Sequence, residues 1–309
     1  GRVVVLQQSY RAREEEGSGR RIMGLAAALN EGRLPSADQD GWDMPVRSKA
    51  EELGFQGAEQ LGPGDESQRA AFLKLWLARF LEAMPDLDDR LGFVHQEKSS
   101  GFDEETTAKI RVLFEHYEGF RILCATRVST GGFSRRQRAA GAGTLQVNAF
   151  FHRRMSERLG GRPQGEQGSS LIIGEPVLVT RNDYSLRLYN GDSGVVLRVA
   201  PFSEGRARQP EPMAVFSRGD GFVAYPLETL RGRLEPAWAV TVHKAQGSEY
   251  ENVALLLPSV PVRTLTRELL YTAVSRAKSS VVIVGSREIL EAGAASPMER
   301  ASGLEEMLS

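Results

Sequence analysis

Five unbroken apolar runs punctuate the chain: Arg2-Val3-Val4-Val5-Leu6, Phe120-Arg121-Ile122-Leu123-Cys124-Ala125, Trp238-Ala239-Val240-Thr241-Val242, Val253-Ala254-Leu255-Leu256-Leu257 and Val281-Val282-Ile283-Val284-Gly285. Runs of this length without alternation read as strands covered on both faces, the situation of a parallel sheet. Helical spacing takes over in between. Ile22, Leu25, Ala26 and Leu29 share one face across residues 20–31, and Ala70 to Leu77 carry an apolar stripe continued by Phe80 and Leu81. Further helices are predicted over Glu104 to Tyr117 and about Thr266 to Lys278. Glu31 to Asp65, rich in Gly, Pro, Asp and Ser, reads as a loose excursion. The last twenty residues read as a frayed helical tail.

Residues 171–232 follow another rhythm. Pro176–Thr180, Gly194–Val199, Met213–Phe216 and Phe222–Tyr225 are short apolar runs separated by Tyr189-Asn190-Gly191-Asp192 and Arg218-Gly219-Asp220-Gly221. Asn-Gly and Asp-Gly tolerate the positive φ angles of tight hairpins, so a small antiparallel barrel inserted into an α/β domain is predicted. The expected organisation is an α/β domain from 1–168 and 233–290, an insertion at 169–232 and a tail at 291–309. The first strand starts almost at residue one without an initiator methionine, which suggests a piece of a longer protein.

Composition narrows the class little: 41% hydrophobic and 26% charged residues are ordinary for a globular protein. A net charge of −1 does not speak against an anionic partner, because 39 basic residues can gather on one face. With Cys124 alone, no internal disulfide forms, and a reducing, cytoplasmic setting is expected. No run suggests a bilayer span or a secretory leader.

The candidate chemistry is concentrated in two blocks. Thr241-Val242-His243-Lys244-Ala245-Gln246-Gly247-Ser248-Glu249-Tyr250 brings donors, a glycine and an acid to a strand end. Gly247 permits close backbone approach and Glu249 can accept from a ribose, while His243, Lys244 and Gln246 can reach phosphates or bases. An ordinary polar loop is the alternative. The second block is Thr266 to Lys278, where Leu269, Leu270, Ala273, Val274 and Ala277 form the packing face and Thr264 or Thr266 can cap the helix. Arg276 stands near its far end. A guanidinium projecting from there can neutralise charge on a transferring phosphoryl group, or it can complement the helix dipole.

The string TVHKAQGSEYENVALLLP followed by TRELLYTAVSRAKSSVVIVGS resembles motifs V and VI of superfamily 1 helicases. GSEY and TRELLYTAVSRAK look most like the RecD (exodeoxyribonuclease V alpha subunit) branch. Conjugative relaxase-helicases and the Pif1 group have similar loops but usually lack the acid at Glu249. The resemblance implies a RecA-like (P-loop NTPase-type) parallel sheet with helices on both faces, here the second motor domain of an ATP-dependent DNA helicase. It implies that Arg276 is the arginine finger, that Gly247 and Glu249 touch the nucleotide, and that Thr241 and His243 lie near the DNA strand, with Lys244 beside them. Leu6-Gln7-Gln8-Ser9-Tyr10-Arg11 is similar to motif IV, which puts Tyr10 on adenine and Arg11 near the γ-phosphate. Arg181-Asn182-Asp183-Tyr184 with Asn190-Gly191-Asp192-Ser193-Gly194 resembles a hairpin of the SH3-like insertion of RecD. For Asn182 and Tyr184 both a DNA contact and a purely structural role remain open.

Arg121 to Asn148 resembles the RecD strand, glycine loop and asparagine-bearing helix, but is expanded by Arg135-Arg136-Gln137-Arg138. That cluster, with Arg153, Arg154 and Arg158, reads as a phosphate-binding patch or a solvated face. No Gly-x-x-x-x-Gly-Lys-Ser/Thr loop occurs, so ATP and its Mg2+ would be held mainly by a preceding motor domain. The family implies 5′ to 3′ movement on DNA and assembly with RecB- and RecC-like subunits. A non-catalytic helicase-like scaffold, the helicase half of a conjugative relaxase and a generic α/β binding module are the competing readings.

Overall fold

The computed structural model describes residues 17–127, 143–160, 171–203 and 205–298. The first strand of the sequence, Tyr10, Arg11 and the cluster at 135–138 lie outside these residues. Six strands form an all-parallel sheet: β1 (Val46–Arg47), β2 (Gly57–Leu61), β5 (Phe120–Cys124), β13 (Ala239–Thr241), β14 (Tyr250–Leu256) and β15 (Ala277–Val284), in the order β1-β2-β15-β14-β5-β13.

Both faces of that sheet are covered, as its unbroken apolar runs require. On one side Leu123, Val253, Leu255, Val281 and Ile283 pack with α1 (Gly17–Asn30), α7 (Arg267–Val274) and α8 (Arg287–Ala295). On the other, Ile122, Cys124, Ala254, Leu256 and Val282 pack with α3 (Glu66–Glu82), α5 (Glu104–Glu118) and α6 (Thr144–Arg158). Side chains one residue apart on each strand thus enter different cores, the period-two geometry of a strand. Helix starts follow from capping: the side chains of Asp65, Asp103, Thr266 and Ser286 accept from backbone N–H groups of the first turns of α3, α5, α7 and α8. Of the two threonines offered by the sequence, Thr266 caps α7.

A second, mainly antiparallel sheet is built on β6 (Pro176–Val179), β7 (Ser193–Ala200), β10 (Glu211–Arg218), β11 (Gly221–Pro226) and β12 (Leu234–Pro236). It extends beyond the 169–232 insertion read from the sequence. β3 (His95–Lys98), with β4 (Gly101–Phe102) beside it, joins β7 in parallel, and β12 closes against β6. β7 is buried on both sides: Val195, Leu197 and Val199 enter the core shared with α3, α5 and α6, whereas Val196 enters a separate core with Val177, Ala214 and Phe216.

Three expectations need correction. The supposed loose excursion contains β2, a strand inside the parallel sheet. Its polar Glu59 and Gln60 are buried and anchored: Glu59 accepts from the backbone of Gly54 and Phe55 and pairs with Arg47, and Gln60 donates through Nε2 to the carbonyl of Gly285 while its Oε1 has no partner. The helix expected through Lys278 ends at Val274, and Ala277 and Lys278 already belong to β15. The described part of the expected tail is the packed helix α8, with Leu290 fully buried.

Candidate nucleotide and nucleic-acid surface

Residues 242–249 form one crossing. Thr241 ends β13, Val242–Ala245 make a 3-10 turn whose Val242 and Ala245 are buried, and Gly247 turns the chain with φ 89° before Tyr250 opens β14. In a parallel sheet the segment therefore leaves the carboxyl edge at Thr241 and returns at the amino edge. The sequence placed the whole decapeptide at one edge; the structure divides it between two. Thr241, His243 and Lys244 follow the carboxyl end of β13, whereas Gly247, Ser248 and Glu249 lie beside the amino ends of β14 and β15.

Arg276 immediately precedes β15 and meets this second group. Its Nη1 donates to the Ser248 carbonyl at 3.2 Å, Nη2 to Ser275 Oγ at 3.2 Å and Nε to the Thr272 carbonyl at 3.1 Å. The residue is 7% exposed, so the guanidinium is folded against the crossing rather than projecting, as the sequence alone suggested. The physical reason is local: α7 stops early, and the Arg276 side chain occupies the carbonyl that a further turn would have used. Glu249 is 3.9 Å from Lys278 Nζ at the same edge. The two motif blocks are thereby joined in space.

At the other edge Lys244 Nζ pairs with the Glu235 carboxylate, which Arg127 approaches at 3.3 Å from beyond the end of β5. His243 is exposed. Asn148, on α6, clamps the neighbouring chain with three bonds: it donates to the carbonyls of Pro236 and Ala239 and accepts from Ala239 N at 2.7 Å. Its position fixes where β13 begins.

The hairpin of the second sheet is pinned from several sides. Asn182 Oδ1 accepts from Asn190 N at 2.8 Å, Asp192 accepts from Tyr189 N at 2.8 Å, Arg233 pairs with Asp183, and Arg218 donates to the carbonyls of Leu186 and Arg187. Asn182 thus has a structural task. Tyr184 shares it only at its tip, where the hydroxyl accepts from Asn182 Nδ2 at 3.3 Å; the ring, 76% exposed, meets that of half-exposed Tyr189 edge-on at 6.3 Å. Tyr189, Arg127 and Glu235, which the sequence does not single out, lie beside these candidates. An aromatic beside Asn-Gly-Asp was visible there, but no local pattern links Arg127 to Glu235. Of the remaining basic residues, Arg154 faces Glu157 and Arg158 pairs with Asp88, the arrangement of a solvated helix face. Among the described residues no group of three or more His, Cys, Asp or Glu could hold a metal ion, and no helix is long and apolar enough to cross a membrane.

Residues 236–284, which contain the crossing, α7 and Arg276, match the family model of the UvrD-like helicase C-terminal domain. The RecBCD enzyme subunit RecD of Mycobacterium tuberculosis is 40% identical over 187 residues, covering 60% of this chain and 28% of that protein. These RecD relatives and the helicase domain model agree with the resemblance of the two motif blocks to the RecD branch of superfamily 1 helicases. The ATP-dependent RecD2 DNA helicase of Deinococcus radiodurans is 34% identical over 126 residues, covering 41% of this chain and 16% of that protein. The chain thus spans under a third of the length of the RecD proteins it matches. Among solved structures, Pif1 helicase from Bacteroides with ADP-AlF3 and single-stranded DNA aligns over 76% of this chain and 53% of that one, at 15% identity and a TM-score of 0.32.

Proposed function

We propose that this chain is the second RecA-like motor domain of an ATP-dependent 5′ to 3′ DNA helicase, a RecD-like subunit of exodeoxyribonuclease V acting in double-strand break repair. In this reading residues 1–168 and 233–290 supply the motor domain and 169–232 the greater part of an SH3-like insertion, whose sheet also takes in β3, β4 and β12. The observation that carries it is the bond between Arg276 and the Ser248 carbonyl, which unites the two family motifs at one sheet edge. Gly247 and Glu249 face solvent there, beside the guanidinium. Triphosphate oxygens are stronger acceptors for an arginine than the neutral Ser248 carbonyl and Ser275 hydroxyl, so a donor exchange toward the nucleotide is favourable. Arg276 then stabilises charge on the γ-phosphoryl group. Tyr10 and Arg11 complete the nucleotide contacts from this side, while the phosphate loop and Mg2+ ligands belong to a preceding motor domain.

Loss of the γ-phosphate releases the arginine and lets the two domains separate, which becomes movement if each grips DNA in turn. Thr241, His243, Lys244 and Tyr184, with Asn182 shaping the hairpin, supply the DNA contacts. RecB- and RecC-like subunits are the proposed partners. In the full-length protein, Arg276→Ala is expected to abolish unwinding while single-stranded DNA affinity stays within about threefold, since removing a transition-state contact costs rate rather than binding. Normal unwinding by that variant removes the arginine-finger role.

A further inference from the structure

We infer that Glu235 is a built-in competitor for nucleic-acid phosphate, holding Arg127 and Lys244 as a paired anion site until a DNA backbone displaces it. The inference rests on the DNA-binding reading above and adds two residues to it. Glu235 lies on β12, beside the edge strand β13, and its two carboxylate oxygens are divided between two cations: Oε1 to Lys244 Nζ and Oε2 to Arg127 Nη2 at 3.3 Å. The cations come from separate elements, Lys244 from the turn after β13 and Arg127 from the segment after β5; the parallel pairing of β5 with β13 puts those segments side by side, and the carboxylate binds both cations. Glu235 and Lys244 are largely covered, with side-chain exposures of 22% and 30%, while Arg127 at 64% leaves the cluster open toward solvent.

A phosphodiester has the same acceptor chemistry as a carboxylate: two anionic oxygens that can accept from a guanidinium and an ammonium together. Thr241 and exposed His243 flank Lys244 in the chain. A backbone phosphate entering here meets cations whose charge is already partly cancelled. Binding must therefore exchange one anion for another, and affinity is set below what two free cations would give. Glu235 is a positioning residue in this scheme, because it acts only through Arg127 and Lys244.

The test uses this chain, a labelled oligothymidine of about 15 nucleotides and fluorescence anisotropy over a salt series. Glu235→Gln, which keeps the shape and removes the charge, is expected to tighten binding by about three- to tenfold at low salt. It should also steepen the dependence of log K on log salt by about 0.7 to 1.4, the release expected for one to two extra phosphate contacts on a single strand. Glu235→Ala should show the same gain. The gain should vanish when Arg127→Gln and Lys244→Gln are added, and Glu251→Gln, at the other sheet edge, should show none. Unchanged or weaker binding by Glu235→Gln, or a gain that survives loss of both cations, overturns the inference while leaving the DNA reading standing. Failure of the unaltered chain to bind the oligomer at low salt overturns both.

Discussion

Tyr184 and Arg276 show two ways in which a functional candidate differs from its neighbours. The Tyr184 ring is held by a pinned hairpin yet contributes little to any core, being 76% exposed. Replacing it should therefore change folding stability by less than about 0.5 kcal/mol, the usual range for surface positions. If it stacks on a base, Tyr184→Ala should weaken oligothymidine binding by on the order of 1 kcal/mol, about fivefold, with Tyr189→Ala close behind. An unchanged Kd in both variants would take this hairpin off the DNA path. Arg276 is the opposite case. It is buried and bonded, so its loss affects the helix end as well as the nucleotide side, and a melting curve must accompany any activity measurement. Cys124 belongs to neither group: burial pushes its thiol well up from the ordinary range, and it serves as a core residue.

At the level of elements, α8 and β2 mark the limits of what periodicity reveals. The strands with unbroken apolar runs, β5, β13, β14 and β15, and the helices α1, α3 and α5 were legible because burial on both faces, or on one stripe, leaves a direct trace in residue type. β2 left none. Its buried Glu59 is held by backbone groups and Arg47, and its buried Gln60 is anchored through Nε2 to the carbonyl of Gly285, 225 residues away, a partner that no local pattern announces. The end of α7 is hidden from the sequence for a related reason. Ala277 continues the helical spacing, but the carbonyl of Thr272 is taken by Arg276 Nε and the chain turns into β15. The motif residues themselves were legible; their division between two sheet edges was not, since spacing along a loop does not tell how far the loop travels. The Ala-rich composition of α8 resembles a solvated end, so by sequence it reads as a tail. Leu290, fully buried against α7, should cost about 2–5 kcal/mol as Leu290→Ala, read by urea unfolding. A cost under about 0.5 kcal/mol would return α8 to the tail.

For the molecule as a whole, two buried histidines couple packing to pH. His95, on β3, and His116, on α5 beneath Phe80, are both lowered to about 4, in each case mainly by burial, with Lys109 adding to the effect at His95. Both are thus neutral in the folded state near pH 7. As pH falls through the ordinary histidine range, about 6.5, the unfolded chain takes up protons that the folded chain refuses, and stability drops until about pH 4. His152 works the other way. Its bond to the buried Glu175 carboxylate raises it, so its contribution is full below about 6.5 and is lost as pH rises through its folded value. Two groups against one give a lower urea midpoint at pH 5 than at pH 7, and His116→Phe should flatten that slope. A midpoint independent of pH over this interval would show that these rings are solvated.

Because Val195, Leu197 and Val199 of β7 sit in the same core as Trp76, Leu113 and Phe151, the smaller sheet has no seam along which it could be detached. It is not a cassette that can be exchanged among relatives one piece at a time. A lineage that alters the inner side of this sheet must alter the helices beneath it in the same step, and the two should diverge in concert.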